Sequence, residues 1–205
     1  MEKKQSLIDE ALNYLEQKYN ETFEYISIWG ADYSNTSGTR LLTQCGSFPD
    51  AILVNCVKDE DDFIFSDNYL AVRYKQEMTE FIQSTTDVVF GRSVVFYEVL
   101  KQPLSPDLPA DSSFEVYSKD EMSGIFATVV VPNETFDESL VQVLAEKICE
   151  FGISAQLSFV SLDGGMLESL DSMALDHVLS HHQYRYYAVV YIHEDEIVVN
   201  RREVW

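Results

Sequence analysis

The chain has 205 residues, 46% of them hydrophobic and 13% aromatic, which excludes an extended disordered chain, because that much apolar surface can offset the entropy of ordering. Its 14 basic and 35 acidic residues give a net charge of −21, spread as 8 against 17 over residues 1–100 and 6 against 18 over residues 101–205. Acidity on both halves disfavours nucleic acid and anionic lipid, which need clustered Lys and Arg, and suits a basic protein partner, cations or simple solubility.

Residues 6–20 read as a helix. Leu7, Ile8, Ala11, Leu12, Leu15 and Tyr19 recur on one face, and Ser6 with Asp9 resembles a cap. Phe23 to Trp29 is rich in aromatic and β-branched residues and reads as a strand, followed by a polar loop over 30–38. Strands are expected at about 39–46 and 51–57, with Phe48-Pro49-Asp50-Ala51 as the turn. Pairing about that turn sets Cys45 opposite Cys56, with Cβ atoms about 4.5–5.5 Å apart and near disulfide range. Three cysteines without CxxC spacing favour the other reading of the pair, two reduced thiols packed side by side.

A solvated turn, Asp59-Glu60-Asp61-Asp62, precedes Phe63-Ile64-Phe65. A second helix, capped by Asp67 or Asn68, runs to about residue 87 with Leu70, Tyr74, Met78, Phe81 and Ile82 on its apolar side; Gly91 stops it, and 93–100 is a strand. Residues 103–113 hold Pro103, Pro106 and Pro109, which can neither continue a helix nor sit in a sheet centre. That segment is expected to be an exposed, irregular connection between an α-β-β-β-α-β lobe over 1–102 and a β-α-β-α-β-β lobe over 114–205, or a crossing loop within one continuous domain.

In the second half, 125–131 is a short strand, and Thr135 with Glu138 forms a capping box before a helix that buries Val141, Leu144, Ile148 and Phe151 and ends at Gly152. Residues 153–162 form a strand, Asp163-Gly164-Gly165 turns into a helix over about 166–180, and 184–192 with 196–200 form a hairpin. The fold class is therefore α+β, with helices packed on one face of a mixed, largely antiparallel sheet and two lobes of similar size as its finer form.

Two segments, Tyr14-Leu15-Glu16-Gln17-Lys18-Tyr19-Asn20-Glu21-Thr22-Phe23 and Asp67-Asn68-Tyr69-Leu70-Ala71-Val72-Arg73-Tyr74, resemble an uncharacterised family of small acidic proteins from Gram-positive gut bacteria. The resemblance covers the N-terminal half. It implies a bacterial origin and transfers no functional residue.

Motifs for chemistry are sparse. His177 and His181 stand i and i+4 on the last predicted helix, so both imidazoles could reach one metal ion, but H-E-x-x-H is absent and no third ligand is placed by spacing. A histidine-bearing helix end favoured by the helix dipole is the simpler reading. Asp59, Glu60, Asp61 and Asp62 lack the central glycine and alternating period of a calcium loop. Asp163-Gly164-Gly165 is neither G-x-G-x-x-G nor a P-loop and reads as a turn capped by Asp163. No nucleophile elbow or reactive-looking cysteine is present. Alternation sends Tyr187 and Tyr191 to one face with Arg185, and Tyr184 and Tyr186 to the other; such aromatics are ordinary in sheets and enriched at interfaces.

These features support a non-catalytic protein-interaction or immunity-like accessory protein with an acidic surface, no cofactor, and Asp59, Glu60, Asp61, Asp62, Tyr187 and Tyr191 as candidate interaction residues. A metal-dependent hydrolase centred on His177 and His181, and an exported ligand-binding domain whose signal has been removed, stay open. No apolar run nears the roughly 20 residues that span a bilayer and no signal-peptide core is visible, so a cytoplasmic location is expected, with export as the alternative.

Overall fold

A computed structural model describes residues 2–30, 38–59, 62–99, 102–120, 122–193 and 196–201. In chain order the elements are α1 (Glu2–Tyr19), β1 (Phe23–Gly30), β2 (Thr39–Cys45), β3 (Ile52–Asp59), β4 (Asp62–Asp67), α2 (Tyr69–Arg73), α3 (Lys75–Phe90), β5 (Val94–Glu98), α4 (Phe114–Ser118), β6 (Ile125–Pro132), α5 (Ser139–Glu150), β7 (Ala155–Leu162), a 3-10 turn (Leu167–Ser169), α6 (Ser172–Ser180), β8 (Tyr186–His193) and β9 (Glu196–Arg201). The fold is α+β, with two mostly antiparallel sheets. No helix among the described residues is long and apolar enough to cross a membrane.

The chain forms two compact units and passes between them more than once. The first comprises residues 1–74 and 99–123, the second 75–98 and 124–205. This differs from the division expected at 103–113. α3 and β5 belong to the second unit, and the proline-bearing segment belongs to the first. That segment is irregular, yet Leu104 and Leu108 are buried and the Leu104 amide donates to the Asp67 carbonyl at 2.8 Å. Apolar residues between the prolines thus tie it down, where prolines alone suggested an exposed connection.

In the first unit the sheet order is β1-β2-β3-β4, antiparallel throughout. Alternation turns Leu41, Thr43 and Cys45 of β2 and Ile52, Val54 and Cys56 of β3 to the buried face. α1 buries Leu7, Ile8, Ala11 and Leu15, each large side chain stabilising the unit by roughly 1.5–3 kcal/mol. The helix starts at Glu2, ahead of the expected Ser6 cap, because Ser6 bonds Glu10 and Gln5 bonds Asp9 across one turn.

The β2–β3 register overturns the cysteine pairing. Thr43 faces Ile52 and Thr39 faces Cys56, so the turn is wider than expected, and Cys45 faces Phe23. The two thiols share a face but lie about 20 Å apart along the ladder, six residues at about 3.4 Å each. They are free.

The helix expected over 67–87 is two helices, α2 and α3, broken at Tyr74. The Tyr74 ring stacks on Tyr117 and its hydroxyl donates to the Ser112 carbonyl at 2.6 Å, which fixes the end of α2 within the first unit. Asn68 does not cap with its side chain. Its amide oxygen accepts from the Leu53 amide at 2.7 Å instead.

The second unit has the order β5-β6-β7-β8-β9, with β6 and β7 parallel around α5 and the other pairs antiparallel. Val129, Val131, Leu157 and Phe159 share a buried face, and Phe90 of α3 lies 6.3 Å from Phe159. Val130, Val160 and Leu162 point to the opposite face and pack with Leu167, Leu175 and Val178. Helices therefore cover both faces of this sheet, not one. Two expected caps also move. Asp137 rather than Thr135 receives the Ser139 amide, at 2.9 Å, and α6 begins after Asp171, whose carboxylate accepts from the Ala174 amide at 2.8 Å. Gly152, at φ +70°, closes α5 as expected.

Candidate functional site

The first unit gathers its polar side chains where the end of α1 meets the end of β4. Tyr14 and Lys18 are i and i+4 on α1, and Asp67 is the last residue of β4 on the helix-facing side, opposite Val54. One Asp67 oxygen accepts from the Tyr14 hydroxyl at 2.7 Å and the Lys18 ammonium at 2.9 Å. The other accepts from the Tyr19 hydroxyl at 2.7 Å and the Tyr69 amide at 2.9 Å. Four donors on a carboxylate that is 2% exposed offset much of its desolvation. Burial, and then the Asp67 charge, raise the Tyr14 and Tyr19 phenols well above the usual range, so both hold their protons at neutral pH.

Beside this network lies an open cleft of about 430 Å³, lined in part by Tyr19, Glu21, Phe48, Tyr69, Arg73 and Asp111. Glu21 accepts from the Tyr69 hydroxyl at 2.5 Å and from the Ser47 hydroxyl at 2.9 Å. Burial alone would raise the Glu21 carboxyl, but hydrogen bonds from Tyr69, Ser47 and Cys45 and the Arg73 charge outweigh it and hold the carboxyl below its ordinary value. Tyr69 is raised by burial and by the same carboxylate. Phenols bonded to the Asp67 and Glu21 carboxylates fix the α1–β4 corner.

The second unit has a cleft of about 530 Å³ between the start of α5 and strands β8 and β9. Glu138 accepts from the Arg201 guanidinium at 2.5 Å and from the Tyr186 hydroxyl at 3.2 Å. Burial and then the Glu138 charge push the Tyr186 phenol up to about 12. Phe136 packs on the Tyr186 ring at 4.5 Å. Asp137 lines the cleft beside Glu138.

The residues singled out by sequence are scattered. His177 and His181 have ring centroids 4.0 Å apart, but His181 Nδ1 is engaged with the His177 carbonyl at 2.8 Å. Among the described residues no three His, Cys, Asp or Glu side chains group to hold a metal. Asp59 and Asp62 pair across the β3–β4 hairpin, while Glu60 and Asp61 lie outside the described residues. Tyr187 packs against the cluster under α6, whereas Tyr191 is 42% exposed on the same side of the sheet. Tyr184 lies 5.5 Å from the Tyr187 ring, so it joins that face instead of the Tyr186 face that alternation assigned. Asp163 caps its turn as expected, through the Gly165 amide at 2.9 Å.

Sequence reasoning missed the Tyr14–Lys18–Tyr19–Asp67 network. The signal was there in part: two polar residues at i, i+4 beside the apolar stripe of α1, and a lone acid closing an aromatic strand. The two segments that carried the family resemblance, 14–23 and 67–74, are the ones this network joins.

No protein-family model matches the chain, and no curated protein matches it. Among solved structures, a DUF5037 family protein from Ruminococcus gnavus is similar, at 16% identity and a TM-score of 0.45, over 92% of this chain and 93% of its own. It is a distant structural neighbour from a Gram-positive gut bacterium.

Proposed function

We propose that the protein acts without catalysis, by binding a basic partner protein through its acidic surface. The observation that carries this is the placement of its charge. Among the described residues Asp67 is the only buried charged side chain, so the other described acids face solvent wholly or in part. The first unit has 8 basic against 18 acidic residues and the second 6 against 17, so each projects a strongly negative field. Such a field speeds encounter with a basic partner and repels acidic ones. The saturated Asp67 carboxylate and the protonated phenols around it account for the main polar cluster as structure. The test is affinity capture on the immobilised chain, with binding measured at about 0.1 M and about 1 M salt, where the screening length falls from about 10 to about 3 Å. Captured proteins should be basic and should release steeply as salt rises. Neutral or acidic partners, or affinity indifferent to salt, overturn the reading.

A further inference from the structure

The sheet edges differ in how they are protected. β1 carries a bulge between Tyr25 and Ser27. The end of β4 is bonded by the Leu104 amide, and the outward Val95 amide of β5 is taken by the Gln83 side chain at 3.0 Å. These are recognised ways of blunting an edge that would otherwise pair with another chain. Among the described residues β9 has none of them. Its strand partner is β8, and among the described residues no side chain or segment bonds its outer edge. Val198, in the middle of that edge, is 48% exposed.

The free edge also borders a cavity. Register with β8 places Ile197, Val199 and Arg201 on the α5 side of the sheet, and Val199 and Arg201 line the cleft with Asp137, Glu138, Ser139 and Gln142. A strand added to β9 would lie about 4.8 Å farther out and continue this alternation. Side chains on its α5 side would face the cleft that Val199 and Arg201 line, and those on its other side would lie beside Val198. Main-chain bonds supply affinity in such additions, and pockets for alternate side chains supply specificity.

We propose that the outer edge of β9 takes up an extended basic strand of the partner, with alternate Lys or Arg side chains entering the cleft beside Asp137 and Glu138. This rests on the acidic-surface reading above and adds to it a place and a backbone geometry. Charge complementarity selects the occupant: Glu196 begins the strand and Asp137 and Glu138 line the cleft, against Arg201, which is already paired.

The experiment titrates the full chain with a short synthetic peptide of alternating lysine and valine, at about 0.1 M salt. Two further peptides are N-methylated at alternate residues, one in each phase. Only one phase removes the amides that would face β9, so it should weaken binding about tenfold while the other phase binds as the parent does. Asp137→Asn keeps the acceptor that caps α5 but removes the charge, and should weaken binding about threefold; Asp163→Asn, the same change at a turn elsewhere in the unit, should not. Binding that responds to salt but ignores methylation phase and treats the two variants alike overturns the β9 site and leaves the acidic-surface reading standing. Absence of any peptide binding at low salt overturns both.

Discussion

The two units have almost the same charge and use it differently. The first, with 18 acidic residues, turns one of them inward: Asp67 is held by Lys18, two phenols and a backbone amide, and the corner between α1 and β4 is built around it. The second, with 17, has no buried acid among its described residues, and its cleft pair Glu138–Arg201 has side chains 41% and 66% exposed. In the first unit a carboxylate specifies packing. In the second, carboxylates are left where another molecule can meet them. Equal net charge thus says nothing about whether a given acid is architecture or surface; burial and donor count decide.

The largest expected effect tests that contrast directly. Asp67→Asn leaves the Lys18 ammonium and two hydroxyls without their charged acceptor and should destabilise the first unit by about 3–5 kcal/mol, the usual cost of breaking a buried pair on one side. Glu138→Gln at the exposed pair should cost less than about 1 kcal/mol. Urea unfolding of both variants, followed by amide exchange so that each unit is read separately, measures the difference. Equal losses would mean that the Asp67 network is no more structural than a surface pair.

How much of this was legible in the sequence depends on what kind of signal each element carried. Strand β6 was visible because Ile, Thr, Val and Phe favour extended chain, and β7 because apolar and polar residues alternate from Ala155 to Phe159. The break at Tyr74 was not, because Leu70, Tyr74, Met78 and Ile82 keep a helical period straight across it with no glycine or proline to mark a stop. At the break the Tyr74 hydroxyl is bonded to Ser112, a contact 38 residues away in the chain. The Cys45–Cys56 pairing failed through a turn wider than Pro49 suggested, and register is what period-2 patterning leaves open. The Asp67 network lies between. Its members stood in view, but the partner of a lone acid at a strand end is a tertiary fact.

A second effect appears on the alkaline side and should again divide the units. Tyr14, Tyr19 and Tyr69 of the first unit have phenols raised above their ordinary value by burial and by Asp67 or Glu21, whereas in the second unit Tyr186 is raised, to about 12. A group whose folded value is raised stays protonated after its unfolded counterpart has ionised. Its stabilising contribution is full below the unfolded value, about 10, and is lost as pH climbs from there toward the folded value. Melting temperature followed above about pH 10, together with phenolate absorbance, should show the first unit lost earlier and with the steeper slope. Simultaneous loss of both units would show that the phenols bonded to Asp67 and Glu21 do not set the alkaline limit of the first unit.

A smaller effect of opposite sign belongs to Glu21, whose carboxyl is depressed. Burial pulls it upward, and the bonds from Tyr69, Ser47 and Cys45 prevail. Its contribution is present above the unfolded carboxylate value, about 4.3, and fades as pH falls through the lower folded value. Tyr69→Phe removes the principal donor, so the acid limb of stability in the first unit should move to higher pH. An unchanged acid limb would show that Glu21 owes its ionisation to the remaining partners.

The smallest effects concern the thiols, and they check the register that positions everything else in the first unit. Burial pushes Cys56 up to about 12 and raises Cys45, and both side chains are enclosed under α1 or at its edge. Cys149, on α5 of the second unit, is partly exposed. Since the thiolate is the reactive form, the native protein at neutral pH should give one fast thiol, Cys149, and release two more on unfolding. Modification of Cys149 should leave stability within about 0.5 kcal/mol, as expected for a change near the surface. Mild oxidation should form no bond between Cys45 and Cys56, because Cys45 faces Phe23 while Cys56 faces Thr39, and the separation of about 20 Å far exceeds the roughly 7 Å that a disulfide tolerates. Peptide mapping of an oxidised native sample that found Cys45 joined to Cys56 would place β2 six residues out of register against β3. That shift would carry Thr39 and Leu41 away from Cys56 and Val54 and change every cross-strand neighbour between β2 and β3 on the buried face.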